Sequence, residues 1–290
     1  MTLMPREPEH HQPAPVSEAH ASGEPGATGA TGGAPILEFD PDRSAIYEPS
    51  WTGRSGKSRR IDGRVVLCFF QDVIEAAVPE MGGVQIGRLS SEIGHNPIWS
   101  VDVGGVPVAV VHPGVGAPLA AAFLEELIPR GGRAFVACGG AGVLVPELAV
   151  GHVMVPTTAV RDEGTSYHYL PASRTVDPSP AAVAAILSVL RERDVPFVEG
   201  ATWTTDGLYR ETRAKVDARV AEGCISVEME ASALFAVAAF RGVTIGQLLY
   251  AGDDLSGAAW DSRGWDTHGS ARRMLFELAL ESVVRIPLDV

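Results

Sequence analysis

Val227-Glu228-Met229-Glu230 runs directly into Ala231-Ser232-Ala233-Leu234-Phe235-Ala236, so a strand-like run meets a helix that is apolar on nearly every side. A helix without a polar face belongs in the interior, which places two carboxylates and a thioether at the mouth of a buried element. Alternate residues of an extended segment point to one side, so Glu228 and Glu230 are set to converge on one ligand with Met229 opposite. An ionised carboxylate only accepts hydrogen bonds and can grip a pair of vicinal hydroxyls, as a sugar offers. The plainer reading is an acidic helix start, favoured by the helix dipole. On these four residues alone both readings stand.

The same strand-then-turn pattern recurs along the chain. Arg64 to Cys68 reads as a strand, with a short helix from Asp72 to Val78. Ile98 to Val103 and Val106 to Val111 flank Gly104-Gly105, a hairpin signal. Gly116 to Ile128 reads as a helix, stopped by Pro129 and Gly131-Gly132. Arg133 to Ala137 is an apolar strand leading into a glycine-rich loop, Gly139-Gly140-Ala141-Gly142, and His152 to Val155 is another strand. Pro180 opens a helix to Arg193 with Val183, Ile186, Leu187 and Leu190 on one stripe. Thr244 to Tyr250 is a strand that delivers Gly252-Asp253-Asp254, and a last helix spans Thr267 to Val284. Strands alternating with helices predict one α/β domain, residues 36–290, with a parallel or mixed central sheet. In such sheets ligands sit beyond the strand ends, so Gly139 to Gly142, Glu228 to Glu230 and Asp253 are expected to share a cleft.

Composition narrows the classes. A 290-residue chain with 46% hydrophobic and 20% charged residues has ample material for a large core. A net charge of -13 argues against nucleic acid or an anionic membrane as partner. No apolar run has the length of a membrane span, and the N-terminus lacks a signal-peptide core. Cys68, Cys138 and Cys224 are far apart, as buried small hydrophobes in a reducing cytoplasm would be. Residues 1–35, rich in Pro, Gly, Ala and His, read as a disordered tail. His10, His11 and His20 lie in it without a ligand set around them, so no metal is expected. Gly56-Lys57-Ser58 imitates a phosphate loop, but Trp51 stands where the leading glycine belongs. Arg54, Lys57, Arg59 and Arg60 read instead as a solvated basic turn.

In this order the landmarks resemble the nucleoside phosphorylases, uridine phosphorylase branch. The track includes Pro107 to Val111, Gly114-Val115-Gly116, Glu125-Glu126-Leu127, Arg133-Ala134-Phe135 and Gly139 to Gly142. It continues through Val160 to Gly164, Thr204-Thr205-Asp206-Gly207-Leu208-Tyr209, Val227 to Glu230, and Asp253, about half the chain. The resemblance implies a three-layer α/β/α fold with a mixed central sheet and cleavage of a nucleoside N-glycosidic bond, yielding free base and sugar-1-phosphate. It implies no cofactor, with inorganic phosphate as co-substrate. It places Glu230 on the ribose 2′- and 3′-hydroxyls, Met229 under the sugar and Glu228 in the same loop. Leu208 and Tyr209 fall against the base, and Asp253 matches the acid that protonates a departing purine. It also implies a homo-oligomer, with His95 beside a neighbour's cleft. A carboxylate near the sugar suits an oxocarbenium-like transition state, and a buried Asp with raised pKa suits an acid for a leaving purine. Tyr209 reads equally as core, and Asp254 as a turn residue.

The phosphate site departs from the family. The segment after the first strand reads Cys68-Phe69-Phe70-Gln71-Asp72-Val73, without the family's glycine and arginine. A second arginine is replaced by Ala137, and the phosphate-binding threonine or serine falls on Gly140, which keeps only a backbone donor beside Gly139. Desolvating a phosphate dianion without Arg or Lys is very costly, unless Arg54, Arg59, Arg60 or Arg88 folds into the cleft. Thr212 and Arg213 lie one step out of register with the residues that read uracil. Three readings stand: a phosphorylase; a nucleosidase using water, with Asp72, Glu75 or Glu163 as base; and a non-catalytic nucleoside-binding protein.

Overall fold

The computed structural model describes residues 33–49 and 59–288. The expectations placed on the tail histidines and on Trp51 to Ser58 fall outside them. The elements in chain order are β1 (Arg64–Cys68), α1 (Gln71–Glu80), β2 (Val84–Ser91), β3 (Gly94–Val103), β4 (Val106–Val111), α2 (Ala117–Leu127), β5 (Ala134–Val143) and β6 (Val153–Asp162). They continue with β7 (Thr175–Val176), α3 (Pro180–Glu192), β8 (Phe197–Thr205), α4 (Arg213–Ala221), β9 (Cys224–Glu228), α5 (Ala231–Arg241), β10 (Thr244–Asp254) and α6 (Gly269–Arg285).

Together the strands make one mixed sheet, ordered β10-β6-β8-β9-β5-β1-β4-β3-β2. β10 also pairs with β5, so β5, β10, β6, β8 and β9 close into a ring. β5 is the hinge of this topology. Its first half lies parallel between β1 and β10, and its last residues turn antiparallel to β9. That explains why Val65 to Cys68 are wholly buried, since a central parallel strand is covered on both faces. Helices α1, α3 and α6 cover one face through a core that includes Val73, Ile186 and Phe276. Helices α2 and α5 cover the other, around Phe123, Leu234 and Phe235. A third cluster gathers around the buried Trp203. This is the expected three-layer α/β/α arrangement, and no helix among the described residues is long and apolar enough to cross a membrane.

Local chemistry sets the boundaries. The β3–β4 turn uses Gly104 and Gly105 at φ of 63° and 88°, which side chains resist, and Asp102 Oδ1 accepts from Gly105 N at 2.9 Å. Helix α5 stops at Gly242 in the left-handed region, whose N–H returns to Ala238 O.

Two expectations are corrected. Gly139 to Gly142 is not a loop: β5 runs through it to Val143, because β1, β10 and β9 supply its backbone partners. Asp253 does not follow the last strand but lies inside β10, at an irregularity between Ala251 and Asp254.

Candidate active site

The site is built where β5, β9 and β10 end together. Val227 pairs with Gly142, and a Cβ on Gly142 would come within 3.0 Å of Val227, 2.6 Å of Leu255 and 3.6 Å of Asp253 Oδ1. Only glycine lets these strand ends close against Val227, Leu255 and Asp253.

Glu228 and Glu230 do not face one ligand as a pair. Glu228 ends β9 and turns inward: Oε2 accepts from the backbone N–H of Glu230 at 2.8 Å and of Ala231 at 2.6 Å, while Oε1 accepts from Thr204 Oγ1 at 2.6 Å. It caps α5, so for this residue the plainer helix-start reading is the observed one. Met229 between them is half-buried. Glu230 is also buried, and its Oε1 accepts from Gly116 N at 2.5 Å, the first residue before α2. Gly116 sits at φ 89°, a conformation that turns its N–H toward α5.

Behind the two carboxylates runs a buried polar chain. Thr204 Oγ1 accepts from Ser232 N, Ser232 Oγ donates to Glu163 Oε1 at 2.9 Å, and Glu163 Oε2 accepts from Ser166 N at 2.9 Å. Arg161 closes it through Nε to Ser166 Oγ at 2.9 Å. Four hydrogen bonds favour the Glu228 carboxylate, yet burial outweighs them and lifts it to about 7. Glu230 rises to about 8, from burial first and then from the charge of Glu228 beside it. Near neutral pH this pair therefore keeps a proton, because two buried carboxylates at one helix mouth resist ionising together.

The other end of the cleft is apolar. A Cβ on Gly139 would stand 3.1 Å from the Phe69 ring, and one on Gly140 would stand 3.0 Å from the Tyr250 ring. Ala137 is flanked in register by Leu67 and Gln247. His112 lies edge-on to Phe69, with ring centroids 6.1 Å apart. Burial pushes its pKa down, partly offset by a hydrogen bond to the Phe69 backbone, so the ring is held neutral. Its Nδ1 accepts from Gly114 N at 3.1 Å. Arg59 and Arg60 line a hollow with Asp62 and Asp102, and Arg88 lines a separate cavity of about 670 Å³ with Arg43, Glu125 and Tyr169 at the far end of α5. These arginines do not supply the missing cation.

At the third corner, Leu208 is half-exposed and Tyr209 is 94% exposed, so Tyr209 is not core. Asp253 accepts on Oδ2 from Trp260 Nε1 at 2.7 Å. Asp254, read as a turn residue, is tied to Arg263 and accepts on Oδ1 from Ser256 N. Arg213 does not point at a base. It donates to the carbonyls of Leu255, at 2.8 Å, and of Gly257. Of the candidate bases for water, Asp72 is exposed and bound to Arg272 at 2.7 Å, Glu75 accepts from Gln71 at 2.8 Å, and Glu163 is spent in the buried chain. His95 is exposed on β3, bonded to Ser90 Oγ at 2.9 Å, away from this chain's own cleft residues.

Four participants escaped the sequence reading. Ser232 and Thr204 sit in quoted motifs, but nothing in spacing pairs them across β8 and α5. His112 had a signal, a histidine directly before Pro113-Gly114 at a strand end. Glu211, half-buried just before α4, had none.

A model of the phosphorylase superfamily matches residues 64–282. Uridine phosphorylase of Treponema pallidum is 30% identical over 172 residues, covering 54% of this chain and 67% of that protein. Across this and two further curated relatives, the match spans 63% to 67% of their own length. Among solved structures, a uridine phosphorylase from Vibrio fischeri superposes with a TM-score of 0.66 at 21% identity, over 80% of this chain and 99% of that one. An AMP nucleosidase from Bacteroides thetaiotaomicron does so with 0.61 at 24% identity, over 76% and 88%. At these identities the two structures speak for the fold alone.

Proposed function

The chain belongs to the phosphorylase superfamily, and from that premise we propose that it cleaves the N-glycosidic bond of a purine nucleoside, with water rather than phosphate receiving the sugar. The observation that carries this reading is the contrast within one cleft. Glu230, buried at the mouth of α5 beside Met229 and held by the Gly116 N–H, grips the ribose hydroxyls, whereas Phe69 and Tyr250 stand against Gly139 and Gly140 where an anion would need donors. Leaving a dianion against aromatic rings without a cation costs several kcal/mol on the order of a buried unpaired charge.

The single negative charge that the Glu228–Glu230 pair keeps near neutral pH stabilises the positive charge that develops on the sugar as the bond to the base breaks. Asp253 hands a proton to the departing base, and a purine accepts it at N7 as the bond electrons flow into the ring. An oxocarbenium-like centre is electrophilic enough that water adds without a strong base, consistent with Asp72, Glu75 and Glu163 being engaged elsewhere. Retention of an acid that mere binding would not need argues against a non-catalytic role. Phosphorolysis is the second reading, favoured by the 30% identical uridine phosphorylase, and it requires a cation from a neighbouring subunit. A homo-oligomer with His95 close to the neighbour's cleft is part of the proposal, as are a domain beginning near residue 36 and a cytoplasmic setting.

Adenosine, inosine, guanosine and uridine in phosphate-free buffer test the reading. Purine nucleosides are cleaved and uridine is not. Uridine cleavage that appears only on adding phosphate decides for the second reading.

A further inference from the structure

The chain that leaves β10 folds back on it at once, and the returning arm carries a tryptophan bonded to Asp253. Asp254 N donates to Asp261 O at 2.8 Å and Asp261 N donates to Asp254 O at 3.0 Å, so residues 255–260 form a closed loop on the end of the sheet. Three further ties hold that loop in place. Arg213 of α4 donates to the carbonyls of Leu255, at 2.8 Å, and of Gly257. Asp254 pairs with Arg263, which also donates to Leu148 O at 2.7 Å. Tyr250 Oη donates to Trp265 O at 2.6 Å, where the chain passes beside Gly252.

Trp260 ends this loop, and 63% of it is exposed. Its indole Nε1 donates to Asp253 Oδ2 at 2.7 Å. An indole nitrogen can only donate, so this bond fixes one edge of the ring on the carboxyl group while most of the ring surface stays open to solvent. The other oxygen, Oδ1, lies on the β5 side, 3.6 Å from where a Cβ on Gly142 would stand. Among the described residues no donor is bonded to Oδ1.

We propose that Trp260 positions both the acid and the departing base: its N–H keeps Oδ2 as acceptor, so that the proton of Asp253 stands on Oδ1, and its ring is the face on which the base stacks. This placement rests on the reading of Asp253 as the acid for a purine. The oxygen bonded to the indole is the poorer seat for the proton, because a carbonyl-type oxygen accepts better than a hydroxyl. The bond to the indole also strengthens as the carboxyl becomes a carboxylate, since hydrogen bonds to ionised acceptors are roughly twice as strong. It therefore favours the transition state over the bound substrate. As the bond from C1′ to N9 breaks, its electron pair passes into the purine and the Oδ1 proton moves to N7. Water adds to C1′ and gives its proton to solvent, and the Asp253 carboxylate takes its next proton from solvent. The two rings share one carboxyl group, the indole on Oδ2 and the purine on Oδ1, and so lie close enough to stack.

Steady-state kcat and KM, with and without phosphate, are measured for inosine and for p-nitrophenyl riboside, whose leaving group departs without a proton. The proteins are the wild type, Trp260→Phe, Trp260→Ala and Asp253→Asn, each checked for folding by circular dichroism. Trp260→Phe keeps a ring and loses the N–H. We expect its kcat on inosine to fall about tenfold with KM within about twofold, and its kcat on p-nitrophenyl riboside to stay within about twofold. Trp260→Ala loses the ring as well, and its KM for inosine should rise about tenfold, the scale of one lost base–aromatic stack. Trp260→Leu takes its place should Trp260→Ala fold poorly. Equal kcat losses on both substrates in Trp260→Phe overturn the proposal, since they mark a residue that merely shapes the loop. Intact inosine turnover in Trp260→Phe, or an unmoved KM in Trp260→Ala, also overturns it, and loss of inosine activity in Asp253→Asn then leaves the acid reading standing without Trp260. Undiminished inosine turnover in Asp253→Asn, or a wild type that leaves inosine intact, overturns the purine-acid reading itself and this proposal with it.

Discussion

The two ends of the cleft are built from opposite materials. At the ribose end, Arg161, Ser166, Glu163, Ser232, Thr204 and Glu228 hand hydrogen bonds from one to the next until Glu230 is fixed against Gly116. At the phosphate end, Phe69 and Tyr250 lie against two glycines, and the neighbouring histidine is held neutral by burial. A buried polar network is worth its desolvation only when every member is satisfied. Among the described residues no arginine or lysine stands beside Gly139 and Gly140.

The comparison breaks most sharply at Glu230. Glu230→Gln keeps shape and removes the carboxyl through which the pair's charge reaches the sugar, so turnover should fall by about 10²–10³, the loss seen when one transition-state electrostatic contact is removed. Folding, followed by circular dichroism, should survive. Normal turnover in the folded variant would mean that the ribose end was misassigned.

Glu228 belongs to the scaffold of that end. Glu228→Ala leaves the N–H groups of Glu230 and Ala231 and the Thr204 hydroxyl without their acceptor. A loss of roughly 1–3 kcal/mol in denaturant stability is expected, the desolvation cost of unsatisfied buried donors. A loss under about 0.5 kcal/mol would show that water replaces the carboxylate freely.

Much of this frame was legible in the sequence, and the illegible parts share a cause. β1, β4, α2, α3, α5 and α6 are buried on both faces or carry one apolar stripe, so period and punctuation report them. β8, Phe197-Val198-Glu199-Gly200-Ala201-Thr202-Trp203-Thr204-Thr205, gives no clean alternation, because a ring strand passes from an exposed start to a buried polar end. The run Gly139 to Gly142 looks like a loop because glycine is usually punctuation. Here glycine serves close approach, to Phe69, Tyr250 and Val227. The pairing of Glu163 with Ser232 spans 69 positions and leaves no local trace.

Titration offers a gentler probe. Glu228 and Glu230 have ordinary values near 4.5 and folded values of about 7 and 8. The folded state therefore binds more protons than the unfolded chain between these limits. Stability from this pair is full below about pH 4.5 and is lost as pH rises through 7 to 8. The melting temperature should fall by a few degrees between pH 6 and pH 8.5, and Glu230→Gln should flatten that fall. An equal slope in the variant would place the titrating groups elsewhere.

The smallest expected effect concerns assembly. His95→Ala should change turnover by only several-fold, in line with a modest contribution from one interfacial side chain. Light scattering at micromolar concentration should report an oligomer, and a strict monomer would remove the neighbour from the cleft.

The contrast between the two ends is tested most directly by initial rates on inosine against inorganic phosphate, with the sugar product identified by ³¹P NMR. The lack of a cation beside Gly139 and Gly140 among the described residues predicts a rate that hardly changes with phosphate and a product that is free ribose. A rate that rises in proportion to phosphate, with ribose-1-phosphate as product, would contradict it.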